Sequence, residues 1–210
     1  MSVGVDPGDA LTLSPSEAHV WHVGLDMKSD EPSRSRASCH GSLRRVLGGY
    51  LGVEPGVLSF VCGRYGKPAL ACASLHFNVA YSRDVALVAV ARREIGVDVE
   101  RIVPERALGP IAERFFAPAE VELLHGLRVA ERIRVFYRLW TRKEAYAKAT
   151  GRGLSHPLRH LPVHPSLATH DAERWDLRDL EVDHDVVAAL CVEGPVDRVR
   201  LFRLRPSAAP

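Results

Sequence analysis

The sequence predicts an α+β fold. Two β-like runs, 76–82 and 85–91, flank a short turn and indicate a hairpin, because apolar and β-branched residues dominate both. Helical spacing of apolar residues then dominates 104–151, and two further β-like runs follow at 185–193 and 197–204. Strands and helices therefore occur in separate blocks, and we expect an α+β fold.

A faint internal echo weighs little alone but fits a fold of two similar α+β halves that meet face to face. DVALVAV at 84–90 resembles DVVAALCV at 185–192, although valine-rich strands resemble one another easily. We place the boundary after the Gly-Val-Asp-Val-Glu strand, giving an amino-terminal half over 1–103 and a carboxyl-terminal half over 104–210. A chain of 210 residues suits one large domain or two closely packed units of about 100 residues.

The two ends of the chain, 1–17 and 203–210, are rich in Pro, Ser, Ala and Gly and are predicted to be loose. Four segments are predicted between the amino-terminal end and the hairpin. They are, in order, a polar loop at 28–38, a helix at 43–51, a short strand at 57–61 and a turn-rich loop at 63–68.

The elements after the hairpin carry clearer start and stop signals. Residues 95–102, IGVDVERI, have an apolar residue at every second position and predict a strand. Pro118, with Glu120 just behind it, suits the first turn of a helix. A longer helix is predicted from Glu131 to Thr150, with Gly151 placed to cap its carboxyl end.

Composition argues against a nucleic-acid-binding protein and indicates a chain that can fold. Subtracting 26 acidic from 28 basic residues leaves +2, so no strong global field favours nucleic acid. With 46% hydrophobic residues the chain can build a core. The basic residues comprise 24 Arg and only four Lys, so each lysine is a candidate for a specific role. The four are Lys28, Lys67, Lys143 and Lys148.

Compartment signals are sparse. No basic segment followed by an apolar one opens the chain, and no apolar run reaches the ~18 residues that span a bilayer. We therefore expect a cytoplasmic protein without a membrane partner. The cysteines lack zinc-site or disulfide-scaffold spacing and are expected to be structural: Cys39, Cys62, Cys72 and Cys191.

Two carboxylates in GVDVE are candidate metal ligands. Residues i and i+2 of a strand share a face, so Asp98 and Glu100 point the same way while Val97 and Val99 point to the core. Paired carboxylates repel unless a cation lies between them, and oxygen ligands suit Mg²⁺. The alternative is the polar face of a half-solvated strand.

The long helix could complete this site. Trp140, Glu144 and Lys148 recur every four residues and share one helix face. Glu followed four residues later by Lys is also an ordinary surface pair. However, Phe136 and Tyr137 help make the upstream part of the helix apolar around much of its circumference, so we expect burial and a specific contact for the charged residues.

The ordered motifs resemble the 4′-phosphopantetheinyl transferases, specifically the larger Sfp type. The resemblance covers 43–154, and its most specific part is the pairing of GVDVE with the tryptophan-containing helix. The matching segments are YGKPAL at 65–70, LHFNVAYS at 75–82, IGVDVERI at 95–102, RFFAPAEVELL at 114–124 and FYRLWTRKEAYAKATGRGL at 136–154.

The resemblance implies two α+β halves related by a pseudo-twofold axis, with coenzyme A bound between them, in a protein that is usually a monomer. It implies Mg²⁺-dependent transfer of the phosphopantetheine arm of coenzyme A to a serine of an apo acyl or peptidyl carrier protein, as in a holo-[acyl-carrier-protein] synthase. The released product would be 3′,5′-adenosine bisphosphate. The carrier and its pathway (fatty-acid, polyketide or nonribosomal-peptide) stay open.

By motif position, the resemblance makes Asp98, Glu100 and Glu144 the Mg²⁺ ligands. Glu144 would also take the proton of the carrier serine, with Glu120 as another candidate base, and Lys148 would neutralise or protonate the departing phosphate. Glu120 also has a helix-dipole reason for its position. The implied coenzyme A contacts are Lys67, Pro68, Tyr81, Lys143, Lys148, His40 and Arg44.

Two departures from the family pattern leave alternatives open. Ala80 and Tyr81 stand where the family usually has serine and histidine, and His40 stands where it has arginine. A weakened homologue that only binds coenzyme A or a carrier protein is therefore the second hypothesis. The third is an unrelated Mg²⁺-dependent phosphoryl-transfer or hydrolytic enzyme.

Overall fold

The chain folds into two stacked sheets, each covered by a helix on its outer face. The computed structural model describes residues 4–5, 7, 12–25, 32–63, 66–71, 75–103, 108–153, 158–164 and 174–205. The strands are β1 Gly4–Val5, β2 Glu17–Gly24, β3 Phe60–Cys62, β4 Pro68–Leu70, β5 His76–Ser82, β6 Val85–Ala91, β7 Ile95–Arg101, β8 Trp175–Leu180, β9 Val186–Glu193 and β10 Arg198–Leu204. The helices are α1 Pro32–Leu51, α2 Gly109–Phe115, α3 Pro118–His125 and α4 Val129–Ala149, with single 3₁₀ turns at Pro55–Val57 and Leu158–His160.

Each of the two larger sheets combines strands from the amino-terminal and the carboxyl-terminal parts of the chain. The first sheet has the order β1-β10-β2-β6-β5, the second has the order β7-β9-β8, and β3 pairs only with β4. β10 lies parallel to both β1 and β2, whereas β7 is antiparallel to β9. Strands from both sides of position 103 therefore build each main sheet, and the division into halves over 1–103 and 104–210 stays a prediction.

Buried apolar side chains form three clusters, one between the two sheets and one under the helix on each outer face. Val46 and Leu47 of α1 pack on Trp21 and Val88, on the outer face of the first sheet. The inner faces of the two sheets pack on each other through small and β-branched residues, with Leu87 in the same cluster. Helix α4 covers the outer face of the second sheet through a third cluster, which includes Phe136, Tyr137, Ala189 and Cys191.

The predicted α+β class is confirmed, as are the elements around the hairpin. β5 and β6 have the predicted bounds, and their turn holds Arg83 at φ 52°. β7 ends one residue earlier than predicted, and α4 begins at Val129 instead of Glu131. Gly151 has φ 66°, and its N–H donates to the carbonyl of Lys148, as expected of a carboxyl cap.

Several local predictions need correction. α1 begins at Pro32, so most of the polar stretch at 28–38 is helical; residues 28–31 lie outside the described residues. A 3₁₀ turn and β3 replace the strand predicted at 57–61. The predicted loose ends contribute β1, the start of β2 and the end of β10, which pair in the first sheet. Cys72 lies outside the described residues.

The described helices include none that is long and apolar enough to cross a bilayer.

Candidate functional site

β7 is an edge strand of the second sheet and carries two of the predicted ligands. Val97 and Val99 are buried between the two sheets, while Asp98 and Glu100 alternate with them on the other face. Asp98 is only 6% exposed. The prediction of a half-solvated polar face therefore fails for Asp98, because α4 covers it.

A glycine sets the distance between β7 and α4. A Cβ on Gly96 would lie 2.1 Å from the Ala145 carbonyl oxygen and 2.3 Å from the Ala149 nitrogen. Only a residue without a side chain allows this approach. The approach brings one turn of α4, with Glu144 and Lys148, against the carboxylates of β7.

Lys148 and Asp98 form the central contact. The Lys148 ammonium donates to Asp98 Oδ1 at 2.6 Å and to the Val97 carbonyl oxygen at 3.3 Å. Asp98 Oδ2 and Glu144 Oε1 are both buried and have no hydrogen-bond partner. Buried polar atoms are rarely left unpaired, so two such oxygens in one place indicate a missing positive group.

The raised pKa values of these carboxyls also indicate that a positive charge would be favourable here. Burial raises the pKa of Asp98 to about 7, with Glu144 and Glu100 contributing and Lys148 opposing. Burial also raises the pKa of Glu144, again opposed by Lys148 and assisted by Glu100. Three carboxylates and one ammonium leave a formal charge of −2 when all are ionised. A hard divalent cation fits this donor set, since Mg²⁺ prefers carboxylate oxygens.

Glu100 is held from the neighbouring sheet. The Ser82 hydroxyl, on β5, donates to Glu100 Oε2 at 2.9 Å and accepts the Arg101 N–H at 3.1 Å. Arg101 in turn pairs with Asp84 at 2.8 Å and with Asp185, so it joins the β5–β6 turn to the β8–β9 turn. The end of β7 is thereby fixed to both sheets.

A second acidic group lies at the β8–β9 turn. Asp183, His184 and Asp185 are the one set of described residues whose three candidate ligand atoms all lie within 4.8 Å of one another. However, Asp183 and His184 are exposed, His184 Nδ1 lies 3.0 Å from Asp183 Oδ1, and Asp185 pairs with Arg101. Asp185 Oδ1 is also buried without a hydrogen-bond partner, but the other two residues of this group are exposed to solvent, so we favour the more buried carboxylates of β7 and α4 as the metal site.

Lys67 lies beside a cavity at the other end of β7. Its ammonium donates to Glu94 Oε2 at 2.7 Å and to the carbonyls of Ile95 and Ala149 at 3.0 Å. Hydrogen bonds from His76 and Lys67 hold the pKa of Glu94 at about 2, despite the opposing effect of burial. The cavity has a volume of about 610 Å³, and its lining includes Lys67, Pro68, His76, Phe77, Glu94, Tyr146, Arg152, Arg174 and Trp175.

Lys143 and Glu120 form a buried ion pair that has a structural role. Both side chains are fully buried, with Lys143 Nζ 2.9 Å from Glu120 Oε2. Lys143 also donates to the carbonyls of Leu158 and Leu161, which uses its remaining hydrogens. Glu120 accepts the N–H groups of Ala117 and Val163.

These contacts correct two predicted roles. The Lys143 ammonium has no hydrogen left for a phosphate, and the Glu120 carboxylate is closed to a carrier serine. The pair instead fixes the 158–163 segment to α3 and α4.

The remaining predicted contacts are dispersed. Arg44 donates to the carbonyls of Pro55 and Leu58, and its guanidinium lies over the Phe60 ring, so it holds the turn after α1. His40 is exposed on α1, with its ring edge on to Phe60. Tyr81 is 46% exposed at the end of β5. Of the predicted contacts, Lys67, Pro68 and Lys148 lie at the cavity or the acidic site.

Sequence reasoning missed three residues that shape the site: Gly96, Ser82 and Asn78. Asn78, on β5, is buried, and its Oδ1 accepts the Val97 N–H at 3.0 Å. The signal that could have found two of them was a polar residue at positions 78 and 82 of an otherwise apolar strand, on one face of that strand.

Comparisons with known proteins bear on the family of this chain. Residues 94–191 match the family described as the 4′-phosphopantetheinyl transferase superfamily. The chain is 38% identical to 4′-phosphopantetheinyl transferase HetI of Nostoc sp., over 88% of this chain and 91% of that protein. It is 32% identical to 4′-phosphopantetheinyl transferase Sfp of Bacillus subtilis, over 73% and 71%. The solved holo-[acyl-carrier-protein] synthase of Thermotoga maritima shares 21% identity at a TM-score of 0.38, covering 49% and 63%.

Proposed function

Because the chain belongs to the 4′-phosphopantetheinyl transferase superfamily, we propose that it moves the phosphopantetheine arm of coenzyme A to a serine of an apo carrier protein. The observation that carries the proposal is the convergence of Asp98, Glu100, Glu144 and Lys148, from two elements far apart in sequence.

The carboxylates of Asp98, Glu100 and Glu144 would hold Mg²⁺. The orphaned oxygens of Asp98 and Glu144 are free to accept it. When bound, the ion neutralises charge on the pyrophosphate of coenzyme A.

Glu144 is suited to accept a proton. Burial raises the pKa of its carboxyl in the protein without the ion, and a carboxylate within hydrogen-bond reach of a hydroxyl can act as a general base. In the proposed step, the carrier serine loses its proton to Glu144 while its oxygen bonds to the β-phosphorus of coenzyme A. The bond from that phosphorus to the bridging oxygen breaks, and the electron pair leaves on 3′,5′-adenosine bisphosphate.

Lys148 places a positive charge at the same site. Its ammonium donates to Asp98 Oδ1 and the Val97 carbonyl oxygen, and its side chain is 29% exposed. It would neutralise or protonate the new terminal phosphate of the leaving group.

The cavity beside Lys67 is the candidate site for the nucleotide end of coenzyme A. It offers the aromatic rings of Phe77, Tyr146 and Trp175 and the cations Arg152 and Arg174. Lys67 is bound to Glu94 in this structure, so a phosphate contact would require it to exchange that carboxylate.

The test is transfer itself. Purified protein is incubated with an apo acyl or peptidyl carrier protein, coenzyme A and Mg²⁺, and the carrier is weighed. We expect the carrier to gain one phosphopantetheine arm on its serine, and to gain nothing without Mg²⁺. Absence of the gain across acyl and peptidyl carriers would overturn the proposal. Carriers from fatty-acid, polyketide and nonribosomal-peptide systems, compared side by side, would identify the pathway and show whether it is a holo-[acyl-carrier-protein] synthase.

The second candidate is a homologue that binds coenzyme A or a carrier without transfer. The observation that favours it is the sequence at Ala80 and Tyr81, where a hydroxyl and a cationic ring are replaced. Coenzyme A binding without a mass gain on any carrier would support it. Under either candidate we propose a cytoplasmic monomer that acts without nucleic acid or a membrane.

A further inference from the structure

The polar side chains of β5 replace the hydrogen bonds that edge strand β7 cannot make within its own sheet. Asn78 accepts the Val97 N–H, and Ser82 accepts the Arg101 N–H. The two acceptors are four residues apart on β5, and the two donors are four residues apart on β7. β5 and β7 belong to different sheets, so these side chains connect the sheets along one edge.

Ser82 differs from Asn78 because it also contacts a predicted metal ligand. Its single hydrogen goes to Glu100 Oε2, and a lone pair receives the Arg101 N–H. The hydroxyl therefore ties the Glu100 side chain to the backbone of the following residue. This contact leaves Oε1 as the Glu100 oxygen that Ser82 does not engage.

We propose that Ser82 is a positioning residue that orients Glu100 for metal binding. The inference rests on the proposed function, because it assigns Glu100 to the metal. Groups that hydrogen-bond to metal ligands fix their rotamers, and their loss typically weakens metal affinity or activity by about 10- to 100-fold. Ser82 touches neither the ion nor the reacting atoms in this assignment.

The variants are Ser82→Ala, which removes both hydrogen bonds, and Ser82→Thr, which keeps the hydroxyl on a side chain that suits a strand. Thr141→Val is the matched control, because it removes a buried hydroxyl of α4 that donates only to the Arg138 carbonyl. Thermal denaturation establishes that each variant is folded.

The first measurement is Mn²⁺ binding, followed by the electron paramagnetic resonance signal of free Mn²⁺, with and without coenzyme A. We expect Ser82→Ala to raise the Kd for Mn²⁺ at least about tenfold, and Ser82→Thr and Thr141→Val to stay within about threefold of the parent. The second measurement is carrier modification against Mg²⁺ concentration. Excess Mg²⁺ should restore most of the rate of Ser82→Ala.

An unchanged Kd in Ser82→Ala, or a lost rate that excess Mg²⁺ does not restore, would overturn the role of Ser82. If the parent protein itself binds no Mn²⁺ in either condition, the metal site of the proposed function fails and the role of Ser82 fails with it. If Ser82→Ala does not fold, a Kd for Ser82→Thr that is raised tenfold would likewise overturn the proposal, whereas an unchanged Kd supports it.

Discussion

Lys148 Nζ lies 2.6 Å from Asp98 Oδ1, while Oδ2 of the same carboxylate has no hydrogen-bond partner. One ammonium therefore satisfies half of one buried carboxylate, and Glu144 beside it keeps an unpartnered oxygen as well. Such an arrangement destabilises the free protein and is relieved by an added cation. Binding of Mg²⁺ is accordingly expected to raise the melting temperature.

Glu144→Gln should abolish transfer without loss of stability. The amide cannot take the serine proton, so the rate should fall by roughly 100-fold or more. Removing a buried charge that repels Asp98 and Glu100 should leave the melting temperature unchanged or higher. Carrier mass and thermal denaturation measure the two effects. Glu122→Gln, on the exposed side of α3, is the control, and rapid turnover by Glu144→Gln would contradict the assignment.

Gly96→Ala should separate α4 from β7. The new methyl group would collide with the backbone of Ala145 and Ala149, neither of which can rotate away. Overpacking of this kind costs about 3 kcal/mol of unfolding free energy. Urea denaturation measures that cost. Gly24→Ala, whose added Cβ meets nothing within 4 Å, is the control; equal stability of the two variants would show that the close approach is unnecessary.

Lys143→Met should destabilise the fold and leave coenzyme A affinity intact. Removing one partner of a buried ion pair leaves the Glu120 carboxylate uncompensated, at a cost of about 3–5 kcal/mol. Arg138→Met, a change on the same helix as Lys143, breaks a more exposed pair with Asp179 of β8 and should cost under about 1 kcal/mol. The KM for coenzyme A is measured below the melting temperature of each variant. A KM raised tenfold by Lys143→Met would restore the phosphate role.

Stability should fall as the pH drops below 6.5, in part through His19. Burial and the nearby Arg200 lower the pKa of His19, against the opposing effect of Glu17, while its Nδ1 lies 2.5 Å from the Tyr50 hydroxyl. Below pH 6.5 the unfolded chain therefore binds a proton at His19 that the folded chain does not bind. The stability present above pH 6.5 is lost as the pH falls from 6.5 through the lowered pKa of the folded state.

The variant that tests this is His19→Gln, compared with the parent by urea denaturation at pH 5.5 and 7.5. The parent should lose more stability between the two conditions than the variant does. Equal losses would assign the pH dependence to other groups, of which His22 is the first to examine because burial lowers its pKa as well.

Tyr81→His should leave the KM for coenzyme A unchanged, because Tyr81 does not line the cavity proposed for the nucleotide end. A lowered KM would instead place the 3′-phosphate beside Tyr81, where an imidazolium adds a charge that a phenol cannot supply. The KM for 3′-dephospho-coenzyme A is the control and should not change. An equal change for both donors would show that the effect does not come from that phosphate.

Local patterns predict the parts of the site that lie within single elements. Strict alternation fixes the faces of Asp98 and Glu100 on β7, and spacing by four fixes Glu144 and Lys148 on α4. Two halves of the site are therefore recognisable from the amino-acid pattern alone. Their approach is not, because it depends on a contact between the Gly96 backbone and α4 that no periodicity records.

Burial of charge is the main point at which sequence reasoning failed. Lys143 stands next to Glu144, and an alternating or helical pattern cannot show that the 158–163 segment folds over it. β2 and β8 were not predicted from the sequence. His19 and His22 interrupt the apolar pattern of β2, and Asp176, Arg178 and Asp179 interrupt that of β8. In each case long-range packing decides the conformation.

β10 lies between β1 and β2, and its order in the sheet has a consequence for synthesis on the ribosome. The amino-terminal strands emerge first but lack the neighbour that joins them until residues 198–204 have left the exit tunnel. The first sheet is therefore completed only when β10 has emerged, and a nascent chain arrested before Arg198 should stay sensitive to protease at β2.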